Sequence, residues 1–143
     1  MDNIGRDDRW RVISTVFIGV MNYDCGMCEN EKVTWFDVNE ACLTDAESGD
    51  EIGYSALAFD HGNMVKFACE RLRREIFYSD IAFNFISDEF TIRELQLVYE
   101  AILGEEVNNF ARTIKDRIEQ TGSIQQGKAY RPAKLYRKKA VSV

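Results

Sequence analysis

The sequence lacks any long apolar run, and this absence excludes two classes of protein. No stretch approaches the roughly 18–20 consecutive apolar residues that span a bilayer, so we expect no transmembrane helix. The first residues, MDNIGRDDRWR, contain no apolar h-region, which argues against a secretory signal peptide. The four cysteines then predict reduced thiols in a cytoplasm rather than disulfides.

Histidine is also scarce, and the chain has only one. His61 could titrate or hold a ligand phosphate, but we favour the interpretation that Asp60 and His61 cap the helix that follows and join it to the preceding domain. The CGMC stretch has the spacing of a metal or redox pair, Cys25 and Cys28. Zinc would need two further ligands, and Cys42, Cys69 and His61 lie at irregular distances along the chain. We therefore predict incidental thiols, no metal site and no cofactor.

Apolar residues are plentiful, which predicts a folded protein. A chain of 143 residues with 45% apolar residues and nine Phe can bury a core as one domain or two small ones. Trp10, Trp35 and Tyr54 could stack on a nucleobase, but core or interface positions are the better expectation for these aromatics.

The first part of the chain carries strand patterns. Residues 11–23, RVISTVFIGVMNY, predict a strand buried on both faces, and 33–38, VTWFDV, predict a second. Residues 44–55 are acidic and bear Gly and Ser, which predicts a surface loop. Two strands leave a sheet flank uncovered, so we expect a homodimer formed through residues 10–40.

From residue 60 onward the apolar period becomes helical. A helix is predicted over 63–76, a short helix over 81–86, a helix over 91–104 and a helix over 107–121. Thr91 and Glu94 have the form of a capping box, and Gly104 suits a left-handed helix end. The apolar positions that predict the inward faces are Met64, Phe67, Ala68, Leu72 and Ile76, then Ile92, Leu95, Val98, Tyr99 and Ile102, then Val107, Phe110, Ala111, Ile114 and Ile118.

Gly122 would end the last helix, and 123–138 would form two short strands joined by a turn that contains Gly127 and Pro132. Helix, helix, tight turn, helix and hairpin are the order of a winged helix-turn-helix. The predicted fold is α+β, with residues 1–58 as one domain and 59–143 as the winged helix domain.

Charge is distributed unevenly along a chain of formal charge −6. Residues 1–61 hold thirteen acids against four basic residues, whereas 110–143 hold nine basic residues against Asp116 and Glu119. No acid interrupts GKAYRPAKLYRKK, residues 127–139. This segment predicts a polyanion partner, and the winged helix pattern makes that partner double-stranded DNA.

Candidate DNA-binding residues follow from the predicted elements. On the 107–121 helix the outward polar positions suit base edges and phosphates, and the predicted wing adds an arginine beside Pro132 and two strand cations. Glu105 and Glu106 at the helix start argue mildly against DNA contact, although they suit the helix dipole. The alternatives are an ordinary solvated helix face and a basic terminus that aids solubility, with Lys138 and Lys139 in a disordered tail. The candidates are Asn108, Asn109, Arg112, Lys115, Arg131, Lys134 and Arg137.

Several stretches closely resemble the C-terminal part of the Nudix-related transcriptional regulators. They are LAFDH at 57–61, a helix with ERLRRE, then IAFNFI, EFTIRELQLVYEAILG, NNF and RPAKLYR, and they cover about 57–138. Residues 11–38 look like the last strands of that family's Nudix-like domain. The resemblance implies a dimeric regulator of NAD or sugar metabolism genes, whose Nudix-like sensor binds ADP-ribose or a related nucleotide or sugar phosphate.

The sequence departs from the family pattern at two places. The Nudix box, Gly-x5-Glu-x7-Arg-Glu-x2-Glu-Glu, would precede residue 1, and ERLRRE at 70–75 is not that box. We therefore predict no hydrolase activity. Ala111 and Thr113 stand where relatives often carry basic residues, which predicts weaker or altered DNA contact by this helix. The alternative function is a non-catalytic module that binds small molecules or supports dimerisation.

Overall fold

The computed structural model describes residues 15–21, 34–125 and 132–140. The chain divides into two compact units, one of residues 1–19 and 24–71 and one of residues 20–23 and 72–143. The predicted domains 1–58 and 59–143 stay a prediction. Helices and strands occur together, which confirms the predicted α+β class.

The first unit contains a three-stranded antiparallel sheet in the order β1 (Phe36–Val38), β2 (Cys42–Asp45) and β3 (Glu51–Gly53). The strand predicted over 33–38 is thus confirmed for its last residues. Val38 pairs with Leu43 across β1 and β2, and Leu43 pairs with Ile52 across β2 and β3. Leu43 is the buried residue of the sheet.

The surface loop predicted over 44–55 is wrong, because this stretch forms the β2–β3 hairpin. The Asp45 carboxylate accepts hydrogen bonds from the backbone N–H groups of Glu47 (2.8 Å) and Ser48 (2.9 Å). These bonds close a tight turn. The acidic and small residues therefore form the turn of a hairpin and not an open loop. The same two backbone donors, that of Ser48 first, lower the pKa of Asp45.

The strand predicted over 11–23 is wrong where it can be judged. Residues 15–21 form no regular element, and Phe17 is 88% exposed. Their apolar, β-branched character satisfied the strand pattern, but neither β1 nor β3 pairs with them. The remainder of 11–23 lies outside the described residues.

The helix predicted over 63–76 is confirmed as α1 (His61–Glu75). Before α1 the chain makes a short 3-10 turn at Tyr54–Ala56, and Tyr54 is buried. Gly62 packs directly on that turn, since a Cβ at this position would lie 2.2 Å from the Tyr54 carbonyl oxygen. A side chain at residue 62 therefore could not be accommodated without moving the backbone.

In the second unit the local helix signals are confirmed. A 3-10 helix spans Ile81–Phe85, and α2 spans Ile92–Leu103. Thr91 Oγ1 accepts from the Glu94 N–H over 3.2 Å, and the Glu94 carboxylate accepts from the Thr91 N–H over 2.8 Å. Gly104 ends α2 in the left-handed conformation with φ 76°.

The helix predicted over 107–121 is wrong in its length. The structure has a short α3 (Phe110–Ile114), a turn over 115–117 and then strand β4 (Ile118–Ile124), which pairs antiparallel with β5 (Lys134–Lys138). Phe110, Ile114 and Ile118 have helical spacing, yet Ile118 reaches the core from the strand. Gly122 lies within β4 at φ 84° and ends no helix. The hairpin thus begins five residues earlier than the predicted 123.

One core holds the second unit together. Its buried members come from the residue after α1, the 3-10 helix, α2, α3, β4 and the segment before α2. Tyr99 lies at its centre, with ring centroids 4.9 Å from Phe110 and 5.2 Å from Phe77. The buried residues are Ile76, Ala82, Phe90, Leu95, Tyr99, Phe110, Ile114 and Ile118, and Tyr136 of β5 packs against them.

Candidate nucleic-acid interface

The turn between α2 and α3 is held by two side chains of α2. Gln96 Nε2 donates to the Val107 carbonyl over 3.1 Å and to Glu100 Oε1 over 2.8 Å. The Val107 N–H donates to the same Glu100 oxygen over 3.4 Å, and Arg93 Nη1 lies 3.1 Å from Oε2 of Glu100. The peptide groups of Val107 are therefore fixed to α2, which sets where α3 begins.

Helix α3 begins at Phe110 after Asn109, which adopts the left-handed conformation with φ 56° and ψ 27°. Phe110 and Ile114 bury their side chains in the core, so the other face of the short helix is open to solvent. Ala111 was predicted to face inward, and it is exposed instead. This error follows from assuming a long helix with a broad apolar face.

Four of the predicted DNA-binding residues lie together around α3. Asn108 and Asn109 precede the helix, Arg112 lies within it and Lys115 directly follows it. All four are exposed. The structure therefore brings these side chains to one surface segment, which we call the α3 segment (residues 108–115).

The β4–β5 hairpin, which we call the wing, is joined to the segment before α2. Phe90 and Tyr136 exchange two backbone hydrogen bonds, of 2.9 Å from the Phe90 N–H and 2.8 Å from the Tyr136 N–H. Lys134 starts β5 opposite Ile124, and both side chains are exposed. Arg131 and Lys128 lie outside the described residues.

Several wing cations contact the domain itself, and the prediction of a disordered tail at Lys138 and Lys139 is wrong. Lys138 lies in β5 with its Nζ 2.7 Å from Asp80 Oδ2, and Lys139 Nζ donates to the Asp116 carbonyl over 3.1 Å. Arg137 Nε lies 2.6 Å from Glu119 Oε1 across the wing. Local acids and carbonyls therefore satisfy much of the positive charge that the sequence concentrates here.

Arg117 is the residue that sequence reasoning missed. Its guanidinium donates to the Asp80 carboxylate over 2.8 Å, to the Tyr99 hydroxyl over 3.2 Å and to the Phe77 carbonyl over 3.3 Å, and it also bonds the Ser79 carbonyl. No spacing rule signals this role, because its partners lie far from it in the sequence. Arg117 ties the start of the wing to the core.

Two of the residues that contact Arg117 have shifted pKa values. Ion-paired hydrogen bonds from Lys138 and then Arg117 lower the pKa of the Asp80 carboxyl. Burial raises the pKa of Tyr99, and the nearby Arg117 charge opposes that rise. At neutral pH Asp80 is therefore anionic and Tyr99 is neutral.

The other sequence candidates lie in the first unit or outside the described residues. His61 is the first residue of α1 and directly follows Asp60, and the capping role of this pair stays a prediction. Tyr54 is buried with Lys66 Nζ 4.7 Å from its ring centroid, so that ring face is occupied, and Trp35 is half-buried. Cys42 and Cys69 are free thiols, whereas Trp10, Cys25 and Cys28 lie outside the described residues.

No group of three His, Cys, Asp or Glu side chains in the described parts of the chain could hold a metal ion. Likewise, none of the helices in those parts is long and apolar enough to cross a membrane.

Comparison with known proteins resolves the type of winged helix. Residues 82–138 match the family model described as the NrtR DNA-binding winged helix domain. This part of the chain is therefore similar to the NrtR winged helix domain. The resemblance to the C-terminal part of the Nudix-related transcriptional regulators is thereby confirmed.

A curated protein that the chain resembles is the ADPR-responsive transcriptional repressor NtrR of Acinetobacter baylyi. The two are 27% identical over 145 residues, which cover 94% of this chain and 52% of the relative. The chain thus spans about half the length of that protein.

Solved structures of NrtR proteins are also similar to this chain. Shewanella oneidensis NrtR in complex with a 27mer DNA is 32% identical with a TM-score of 0.51, over 63% of this chain and 45% of that one. Another structure of Shewanella oneidensis NrtR is 28% identical with a TM-score of 0.56, over 84% and 52%. A MutT/nudix family protein from Enterococcus faecalis is 24% identical with a TM-score of 0.51, over 69% and 38%, which supports a likeness in fold.

Proposed function

We propose that the protein is a DNA-binding transcriptional regulator of the Nudix-related family, acting on genes of NAD or sugar metabolism. The observation that carries the proposal is the NrtR-type winged helix, with an exposed α3 segment next to its core. The similarity to a protein that was crystallised with a 27mer DNA makes duplex DNA the favoured partner.

In this proposal the α3 segment enters the major groove. Asn108, Asn109 and Arg112 offer donors and acceptors for base edges, and Lys115 suits a phosphate. Among the described residues Arg112 and Lys115 make no side-chain hydrogen bond or ion pair, so both cations are available to DNA.

The wing would supply the second part of the interface. Lys134 is exposed and, within the described parts of the chain, has no ionic partner, while Arg131 would extend the surface. Arg137 would have to exchange Glu119 for a phosphate, which lowers its expected contribution. The wing is thus proposed to contact the backbone mainly through Lys134 and Arg131.

Four further proposals concern the whole protein. We propose a cytoplasmic homodimer, because winged helix regulators read paired half-sites with two copies. ADP-ribose or a related nucleotide or sugar phosphate is the proposed effector, since the repressor related to this chain is described as ADPR-responsive. No enzymatic activity is proposed, because ERLRRE at 70–75 lacks the glycine and paired acids of a Nudix box. The domain division at 58 and 59 belongs to the same proposal.

The test is fluorescence anisotropy of the purified chain with labelled duplex DNA at two salt concentrations. We expect binding that weakens steeply with salt, by a logarithmic slope of about −0.9 for each phosphate contacted. Replacing Arg112 and Lys115 together by alanine should abolish binding. The control replaces Lys66 and Arg71 of α1 by alanine, which removes the same charge from a helix that is part of neither the α3 segment nor the wing. Equal weakening in both double variants would overturn the assignment of α3.

The second candidate is a small-molecule-binding or dimerisation module derived from a Nudix protein. The contacts of Arg137, Lys138 and Lys139 within the domain favour it, because they reduce the charge left for DNA. Calorimetry with ADP-ribose and sugar phosphates separates the two functions. The second candidate would be favoured if the chain binds one of these small molecules with measurable heat but does not bind duplex DNA even at low salt.

A further inference from the structure

A single carboxylate contacts the residue before β4 and the last residue of β5, at the base of the wing. Asp80 lies between α1 and the 3-10 helix, outside both the α3 segment and the wing. Its Oδ1 accepts from Arg117, the residue before β4, over 2.8 Å, and its Oδ2 lies 2.7 Å from Lys138, the last residue of β5.

Further contacts close this arrangement. The Lys139 N–H donates to the Arg117 carbonyl over 2.9 Å, which joins the two strand ends directly. The Phe83 ring lies against both cations, with its centroid 5.4 Å from the Arg117 guanidinium carbon and 6.0 Å from Lys138 Nζ. We call Asp80, Arg117 and Lys138 the wing clamp.

We propose that Asp80 is a positioning residue that fixes the direction of the wing and thereby its grip on DNA. The functional consequence rests on the proposed DNA binding. The Phe90–Tyr136 backbone bonds and the hydrogen bond from Gln125 Nε2 to Glu94 Oε1 also join the wing to its domain, and Asp80 adds the contact that ties the two strand ends at its base. With Asp80 holding both strand ends, Lys134 at the far end of β5 has a fixed position relative to the α3 segment.

Charge makes the proposal testable, because two roles of Asp80 predict opposite results. If Asp80 only repels nearby phosphates, its neutralisation tightens DNA binding. If Asp80 positions the wing, neutralisation weakens binding, because wing contacts are lost. If Asp80 only stabilises the fold, the affinity of the folded protein stays unchanged well below the melting temperature.

The experiment compares Asp80→Asn with wild type by anisotropy at several salt concentrations. We expect affinity to fall by about threefold to tenfold, the range of one or two exposed ion pairs, with a shallower salt slope. Asp80→Glu keeps the carboxylate and should restore most of the affinity. Asp116→Asn is the matched control, since it removes an exposed acid beside Lys115 without touching the clamp, and its affinity should be equal or higher. Tighter or unchanged binding by Asp80→Asn overturns the proposal.

Two measurements keep the proposal testable if a variant or DNA binding itself fails. Lys138→Gln releases only the β5 end and leaves the Arg117 pair intact, so a smaller loss of affinity is expected. Amide hydrogen exchange reports on the wing without DNA, and in Asp80→Asn the amides of 118–120 and 136–138 should exchange faster while those of α2 do not. Unchanged wing exchange overturns the clamp whatever the DNA result. A wild-type chain that binds no duplex refutes the proposed function alone.

Discussion

Arg117 donates a hydrogen bond to the hydroxyl of Tyr99 over 3.2 Å, which places a guanidinium against the phenol at the centre of the core. This contact joins two elements that the sequence does not visibly connect, the helix α2 and the base of the wing. Tyr99 thus has a polar partner at the end of an otherwise apolar ring, and Arg117 has an anchor in the interior.

Arg117→Met is expected to lower the free energy of unfolding by about 2–3 kcal/mol, because the Phe77 and Ser79 carbonyls and Asp80 all lose a charged donor. Urea denaturation measures this loss. The control Arg93→Met removes an arginine that is 62% exposed, and a change of less than about 1 kcal/mol is expected there. Equal losses in the two variants would contradict the role of Arg117.

Because of Tyr99, we expect the free energy of unfolding to fall at alkaline pH. Burial raises the pKa of Tyr99 above its ordinary value of 10.0, so the folded state favours the neutral phenol. The contribution is therefore fully present below pH of about 10 and is lost as pH rises from there through the pKa of the folded state. Chemical denaturation between about pH 9 and 11 measures it. Tyr99→Phe should flatten this decline, whereas the exposed Tyr78→Phe should leave it as in wild type; the same decline in both variants would refute the assignment.

Because of Asp80, we expect the free energy of unfolding to fall at low pH as well. Its pKa is lowered from 3.8 by Lys138 and Arg117, so its stabilising effect is present above 3.8 and is lost as pH falls through the pKa of the folded state. Asp80→Asn should therefore differ from wild type in free energy of unfolding at pH 5 and converge with it in strong acid. A constant difference between the two proteins across that range would show that the charge of Asp80 is not the cause.

The capping box of α2 predicts a stability loss that is independent of the wing. Thr91 is buried at 6% exposure and accepts from the Glu94 N–H. Thr91→Ala is expected to cost about 0.5–2 kcal/mol, and Thr91→Ser should cost less because the hydroxyl remains. Thermal denaturation by circular dichroism compares the two. An equal loss from serine and alanine would indicate that packing of the threonine methyl group, which both variants lack, dominates over the cap.

Gly104 predicts the cost of a side chain in the left-handed conformation. A Cβ there would meet no atom within 4 Å, so only the φ of 76° opposes substitution. Gly104→Ala should cost about 1–2 kcal/mol, and Gly104→Asn should cost less because asparagine tolerates this conformation. Equal melting temperatures for both variants and wild type would mean that the helix end relaxes without penalty.

Local signals explain which parts of the fold could be predicted. The bounds of α2 could be predicted from Thr91, Glu94 and Gly104, because capping interactions act within one helical turn. Ile118 was placed on the wrong element because its spacing from Ile114 fits a helix, while its pairing with Lys138 depends on a strand twenty residues away. Tertiary pairing outweighed periodicity at that point.

The candidate interface was predictable in part for the same reason. Residues 108, 109, 112 and 115 remained exposed despite the shorter helix, because the buried Phe110 and Ile114 fix the same inward face. Charges can be counted from the sequence, but their ion-pair partners cannot be identified from it. The ion pair between Lys138 and Asp80 therefore could not be predicted. Asp80 lies 58 positions before Lys138, and no periodicity links them.

The Phe90–Tyr136 backbone pairing has a consequence for synthesis of the chain. Phe90 is a buried core residue, yet its bridge partner Tyr136 lies in β5, far later in the chain. While residues after about 133 remain in the ribosome, Phe90 and Ile118 have no β5 beside them, and the nascent winged helix presents apolar surface and unpaired backbone. The domain can close only once residue 138 has emerged, so a chaperone that shields such surface would act at this stage.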